Sequence, residues 1–552
     1  MTNTQDNPVL ATPEQRLRQV TAALDANDVA KAIGLAQDAL RAGAEHPLFY
    51  NLVAHDLEER GDFKQALALL NRAFQLAPRD AIIINAIGLC LTLQMQFDDA
   101  ITIYDVALSI DPGLPQTYFN RADALASLRR YDEAKAAYEQ ALTLHPAYAD
   151  ALSGLAMLAM RQNAMDDARG FATRALDLDA GQHIAALVLS ETDSLAGDNA
   201  EAETRLRALL AQGGLKPKFE ADAHSLLGDA LNAQGRAAEA FAAYEAGNNT
   251  LLRLREKTYA GQGVPSVLDM VGWLKERMEG SEPAAWTTAP KGPAPSREEP
   301  AVHVFFVGFP RSGTTLLENV LASHPQVVAM DEREILAATS KDLLSSDAGF
   351  ARLAALTEEE AQPYREAYWR GVAQFCPDIG GKVFVDKLPL ASVWQPVMDK
   401  LFPGAKVLFA RRDPRDVVLS CFRRRFGSNP ATYQFLTLEG TSAYYDGVMK
   451  LSQLYAERLK LPLHHLRYED LVSDFETQVR AVCDFIGIGW DEGMLDFAGK
   501  AQNRLIRTPS ARQVRRGLYR EGADQWRPYA DQLAPVMPYL QPWIDAFGYE
   551  KA

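Results

Sequence analysis

Small and apolar residues recur along the first half of the chain at one long, fixed step. Phe63, Phe97, Tyr131 and Met165 stand 34 residues apart, as do Ala66, Ala100, Ala134 and Ala168, and again Ala73, Ala107, Ala141 and Ala175. Pro78, Pro112 and Pro146 keep the same step, while Ala54, Gly88, Ala122 and Ala156 supply a matching small residue. Position families held in one register specify stacked helix pairs, with small residues where two helices cross and proline closing the second helix. Looser copies flank them over 12–45 and 183–250, where Leu227, Gly228, Ala240 and Tyr244 recover the phase. Six or seven pairs are expected, and their apolar positions are packing positions. Asn51, Asn85 and Asn120, from first helices, are the polar positions suited to holding an extended peptide backbone on a concave face.

Past residue 260 the period stops. Val267, Met270, Val271 and Leu274 predict one more amphipathic helix over 263–279, followed by an irregular connection marked by Gly280, Pro283, Pro290, Gly292, Pro293, Pro295 and Pro300. From residue 301 the pattern changes again. Short apolar runs at 302–307, 383–385, 406–410 and 464–468 alternate with helical spacing, which predicts a mostly parallel sheet covered by helices on both faces. The chain therefore reads as three parts: a helical repeat array over 12–260, a helix and linker over 261–300, and an α/β domain over 301–552. In a parallel sheet ligands gather at the carboxyl ends of the strands, so residues just past each run are the ones to weigh.

The first such place is Gly308-Phe309-Pro310-Arg311-Ser312-Gly313-Thr314-Thr315. The glycines allow backbone angles closed to other residues, and amides from Arg311 to Thr315 at a helix start favour an anion. A nucleotide-triphosphate loop would carry lysine directly after the second glycine, where this chain has Thr314. Arg311 lies inside the loop, its planar fork suited to a phosphate or sulfate oxygen pair. The segment resembles the 5′-phosphosulfate loop of sulfotransferases that use 3′-phosphoadenosine 5′-phosphosulfate, in the branch with protein-tyrosine sulfotransferases and bacterial repeat-linked relatives. The 34-residue period likewise matches the tetratricopeptide repeat. The implied fold is an α-solenoid followed by a P-loop-like α/β sulfotransferase domain, with Arg311, Ser312, Gly313, Thr314 and Thr315 around the donor's phosphosulfate.

Downstream segments extend the resemblance. Arg412, past the run at 406–410, and Ser420 match the arginine and serine, eight positions apart, that hold the donor's 3′-phosphate in that family. Arg424, one turn beyond Ser420, matches another basic residue of the same pocket, though Arg423-Arg424-Arg425 reads equally as a solvated helix face. Lys387, in Asp386-Lys387-Leu388-Pro389, resembles the family's Lys-x-Pro segment and would meet the charge developing on the bridging oxygen; the alternative is a surface pair with Asp386. Met330-Asp331-Glu332-Arg333-Glu334 stands where the protein-tyrosine branch has Gly-Glu-Glu-Thr-Arg, which maps Glu332 onto the catalytic base, with Glu334 as the second choice. Tyr468 matches an aromatic residue near the nucleotide, and reads equally as a core tyrosine with a hydrogen-bonded hydroxyl. Ser510 and Gln513 are the contact candidates in a basic segment, 507–516, similar to the family's cover over the phosphoadenosine. Gln525-Trp526 stands where relatives often carry a basic residue before the tryptophan.

Composition narrows the partners. Of the formal charge of −15, about −14 lies in residues 1–300, because residues 301–552 hold 30 of the 57 Lys and Arg against 31 of the 72 Asp and Glu. An acidic array argues against a nucleic-acid surface. Cys90, Cys376, Cys421 and Cys483 form no Cys-x-x-Cys pair, which suggests neither a disulfide framework nor a zinc site. A start without a basic and apolar leader, and the lack of a long apolar run, predict a cytoplasmic protein without a membrane span. The resulting expectation is an enzyme that moves sulfonate from 3′-phosphoadenosine 5′-phosphosulfate to an acceptor hydroxyl without a metal. A protein tyrosine captured by the repeats is the first acceptor, a saccharide or other small hydroxyl the alternative, and a repeat scaffold with a non-catalytic nucleotide domain the rival.

Overall fold

The computed structural model describes residues 12–261, 263–286, 299–502 and 522–550. Two compact units divide the chain, Met1–Gly213 and Gly214–Ala552. In the first unit the helices come as α1 (Pro13–Asp25) with α2 (Val29–Arg41), α3 (Pro47–Glu59) with α4 (Phe63–Leu76), and α5 (Ala81–Leu93) with α6 (Phe97–Ile110). Next come α7 (Pro115–Ser127) with α8 (Tyr131–Leu144), α9 (Ala149–Arg161) with α10 (Met165–Leu178), and α11 (His183–Ala196) with α12 (Asn199–Gln212).

Local chemistry explains these boundaries. Asp28 and Asp62 cap α2 and α4 by accepting from the backbone N–H of Lys31 and Gln65, and Pro47 and Pro115 open α3 and α7, where a missing N–H costs nothing. Pro78, Pro112 and Pro146 fall two residues past α4, α6 and α8, where they prevent continuation. The registered alanines at 66, 73, 100, 107, 134, 141, 168 and 175 are fully buried, as close helix crossing demands. Gly88 shows why one crossing takes glycine: a Cβ there would meet the Tyr104 ring at 2.5 Å.

Two of the asparagines singled out for peptide binding are engaged with each other. Asn120 donates to Asn85 Oδ1 at 3.0 Å and accepts from Gln116 Nε2 at 3.0 Å, and Tyr148 donates its hydroxyl to Gln116 Oε1. A near-constant repeat length brings like positions on successive pairs within reach, so these amides join repeat to repeat.

The second unit opens with a further helix pair, α13 (Pro217–Ala233) and α14 (Ala237–Tyr259), then α15 (Val267–Gly280). The sequence reading ends the array at 260, whereas the last pair here shares a compact unit with the α/β domain. Helix α15, expected within the connection, buries Val267, Val271, Leu274 and Met278 in the same core as the sheet.

Five strands form that sheet: β1 (Val302–Gly308), β2 (Val327–Met330), β3 (Val383–Lys387), β4 (Lys406–Arg411) and β5 (Leu463–Arg467). The order is β2-β3-β1-β4-β5 and every pairing is parallel, with Phe306 opposite Lys387 and Gly308 opposite Ala410. Strand β2, four residues long, was not singled out in the sequence. Period-two alternation sends Phe305, Val307, Phe384, Val407 and Phe409 into one core, and Val304, Phe306, Val383, Val385, Leu408 and Ala410 into another on the opposite face. Helix α16 (Thr314–Ala322) contributes Leu316, Leu317, Val320 and Leu321 to the second core. Since all strands run one way, all five carboxyl ends share one edge, and the site is built there. Among the described residues no helix is long and apolar enough to cross a membrane.

Candidate active site

Between β1 and α16 the chain makes a tight anion-type loop. Arg311 sits at φ 70° and Gly313 at φ 90°. A side chain on Gly313 would strike the Tyr468 ring at 2.6 Å, and one on Gly308 would strike Ala410 O at 2.7 Å, so both positions require glycine for space as well as angle. Helix α16 starts at Thr314 with Gly313 as its cap and without a side-chain cap, which leaves its positive end turned to the cleft. The left-handed backbone at Arg311, uncommon for a residue with a Cβ, aims its guanidinium across to Ser420 Oγ at 3.0 Å.

Ser420 and Arg412 are placed by local rules. Strand β4 ends at Arg411, Asp413 caps the next helix, α21 (Pro414–Arg423), and Pro414 takes its first position. The intervening helices are α17 (Ala337–Leu344), α18 (Asp347–Ala354), α19 (Glu358–Ala373) and α20 (Gln395–Leu401). Arg412 is buried and donates to Arg311 O at 2.9 Å and to Gly522 O, while its guanidinium lies 5.0 Å from the Tyr468 ring centroid. Tyr468, directly past β5, thus touches both Gly313 and Arg412.

Positive charge is crowded in this half of the cleft. Burial, then the neighbouring Arg424 and Arg412, push the Arg311 guanidinium down to about 9. Asp416, 3.6 Å from Arg412 Nη2, is pushed up to about 6 by burial, partly offset by Arg412. An anion at the loop would relieve the crowding. Arg424 belongs to this field, yet its side chain is ion-paired with Asp229 of α13 at 3.1 Å. The whole arginine run is held by the last helix pair: Arg425 pairs with Asp222 at 3.0 Å, Arg423 reaches Asn232 Oδ1 at 3.4 Å, and Asn248 of α14 donates to Phe422 O at 2.9 Å. Gln525, standing where a basic residue was expected, accepts from Arg423 Nη2 at 2.7 Å.

On the other side of β1 the charges are of both signs. Lys387, the last residue of β3, is 0% exposed and pairs with Glu332 Oε1 at 2.8 Å and with Glu318 Oε2 at 3.2 Å. Strand alternation turns Asp386 to the opposite face, where the Tyr368 hydroxyl of α19 donates to it at 2.7 Å, so the surface pair of Asp386 with Lys387 does not form. Burial, partly offset by that hydrogen bond and by Lys387, pushes the Asp386 carboxyl up to about 7. Glu332 follows β2 and is 40% exposed.

A cavity of about 500 Å³ joins the halves. Arg311, Gly313, Thr314, Thr315, Glu332 and Glu334 line it, and its other walls are mostly apolar, among them Met270, Trp394 and Phe426, with Asn429 and Thr432 between them. Ser510 and Gln513 lie outside the described residues. Sequence reasoning passed over Glu318 and Asp229. Only Glu318 left a trace, as a carboxylate in the apolar run Leu316-Leu317-Glu318-Asn319-Val320-Leu321.

Comparison with known proteins finds two families, one in each half of the chain. The model of the sulfotransferase family matches residues 303–492, and that of the tetratricopeptide repeat matches 52–115, 119–183 and 196–248. An uncharacterized protein of Aquifex aeolicus is 26% identical over 245 residues, 43% of this chain and 32% of that protein. The protein-tyrosine sulfotransferase of Drosophila melanogaster is 26% identical over 273 residues, 46% of this chain and 52% of that one. Protein-tyrosine sulfotransferase 2 of Gallus gallus is 25% identical over 282 residues, 46% and 71% respectively. The chain spans about a third of the first relative's length and about half of the second's.

Proposed function

Starting from a sulfotransferase-family domain joined to tetratricopeptide repeats, we propose that the chain transfers sulfonate from 3′-phosphoadenosine 5′-phosphosulfate to a hydroxyl, with protein tyrosine as the acceptor. One observation supports the reading: the strand order β2-β3-β1-β4-β5 sets Glu332, Lys387, the Gly308–Gly313 loop, Arg412 and Tyr468 side by side along one sheet edge. With neighbouring strands about 4.8 Å apart, base and distal arginine stand on the order of 14 Å from each other, room for an extended donor between them.

Arg311, Ser312, Gly313, Thr314 and Thr315 hold the phosphosulfate, and Arg412 and Ser420 the 3′-phosphate, with Tyr468 beside the nucleotide. Arg424 is a further donor contact if it leaves Asp229. Glu332 accepts the acceptor's proton as the hydroxyl oxygen attacks sulfur. The bond from sulfur to the bridging oxygen breaks, Lys387 meets the negative charge collecting there, and 3′,5′-adenosine bisphosphate leaves. The scheme gives no role to a metal. Apolar walls from Met270, Trp394 and Phe426 favour a phenolic ring over a saccharide, and the names of the two animal relatives support the same acceptor. The repeats would hold the acceptor polypeptide near the cleft and raise its local concentration.

The test is binding followed by turnover. 3′,5′-Adenosine bisphosphate should raise the melting temperature, and labelled donor should pass its sulfonate to a tyrosine peptide. Stabilisation by ATP with magnesium alone would overturn the donor. Label on saccharides with none on tyrosine would overturn the acceptor.

A further inference from the structure

Glu318 is the one member of the lysine cluster that no motif points to. It lies in the second turn of α16, its side chain is 4% exposed, and its Oε2 stands 3.2 Å from Lys387 Nζ. Glu332, on the other side of the same ammonium, is tenfold more exposed and lines the cavity, whereas Glu318 is absent from the cavity's walls. The buried ammonium therefore has one carboxylate facing the acceptor and one facing the core.

This asymmetry matters at one moment of the reaction proposed above, on which the inference rests. When Glu332 takes the acceptor's proton it loses its charge. A fully buried ammonium with Glu332 as its sole carboxylate would then be left without a counter-charge, an arrangement proteins avoid. We propose that Glu318 is a positioning residue: a standing counter-ion that holds the Lys387 ammonium in place while Glu332 takes the proton, freeing the ammonium to turn to the bridging oxygen. The proton goes from acceptor oxygen to Glu332, and Glu318 exchanges none. Its position on α16, the helix that closes the donor loop, ties the lysine's location to the loop that holds the sulfonate.

The experiment uses the full chain, with turnover counted per molecule that binds 3′,5′-adenosine bisphosphate in calorimetry, so that misfolded protein does not enter. Glu318→Gln should lower kcat by about tenfold to a hundredfold while the KM for donor and the affinity for 3′,5′-adenosine bisphosphate stay within about threefold. In a Lys387→Ala background the same change should cost nothing more, since the group it acts through is gone. Glu318→Asp, which keeps the charge but withdraws it, should fall between wild type and Glu318→Gln, and its kcat against wild type decides the matter should the glutamine variant not fold. Wild-type kcat in Glu318→Gln, or in Glu318→Asp when the glutamine variant is unfolded, would overturn the role. A further loss equal to its own in the Lys387→Ala background would do the same. A wild-type enzyme that transfers no sulfonate would instead overturn the underlying reaction, and this inference with it.

Discussion

The two halves of the cleft on either side of β1 are charged in opposite ways. On the β4 side, Arg311 and Arg412 are buried within reach of each other, and Asp416 lies 3.6 Å from Arg412, so two buried guanidiniums stand beside one carboxylate. On the β3 side one ammonium lies between two carboxylates, and the charges answer one another. The first arrangement suits holding an anion that is bound alike before and during reaction. The second suits moving charge, because a small displacement of Lys387 changes which oxygen it serves. Binding and chemistry are thus separable by mutation.

The largest separation should come from Lys387→Ala. Turnover falls about a hundredfold or more while affinity for 3′,5′-adenosine bisphosphate changes only a few-fold, as expected of a group acting in the transition state. Parallel calorimetry and kinetics check this, and a loss confined to binding would move Lys387 to the β4 side of the comparison. Arg412→Ala should do the reverse, weakening that affinity by roughly tenfold to a hundredfold, the size of a charge-assisted contact, with little change in saturated kcat. Unchanged affinity would take Arg412 out of the site.

Arg424 sharpens the boundary. Held by Asp229 in the last helix pair, it should contribute little: Arg424→Ala and Asp229→Ala are each expected to alter donor-product affinity by less than about fivefold. A tenfold loss in the arginine variant alone would show that the pair opens and that Arg424 reaches the donor.

The smallest expected effect lies on the far face of β3. The raised titration of buried Asp386 means that the folded protein keeps a proton the unfolded chain releases above about 4. Its contribution to stability therefore declines as pH rises from about 4 to about 7. Asp386→Asn lacks that term, so its melting temperature should gain on wild type across this window, by about 2 °C or more at the upper end, and match its slope elsewhere. Melting curves at stepped pH decide it, and equal slopes throughout would mean Asp386 is already ionised.

Legibility in the sequence varied with how local the cause was. The boundaries of α21 follow from Asp413 and Pro414, neighbours in the chain, and place Arg412 and Ser420 correctly relative to their elements. The repeat helices follow from alanines at one step. Strand β2 leaves no signal because its four residues are too few to show a period, and α15 reads as part of the connection because its pattern alone names no partner.

Sequence by itself determined the repeat period, the glycine loop, the α/β alternation and the residues past each apolar run, since each is written as a spacing of residue types along the chain. Tertiary structure alone decided what those residues meet. It set Lys387 between Glu318 and Glu332, 69 and 55 positions away in the chain, joined Asp386 to Tyr368, paired Asn85 with Asn120, and drew Arg424 to Asp229. Charge pairing depends on distance in space and on burial, and neither is written in the order of the residues.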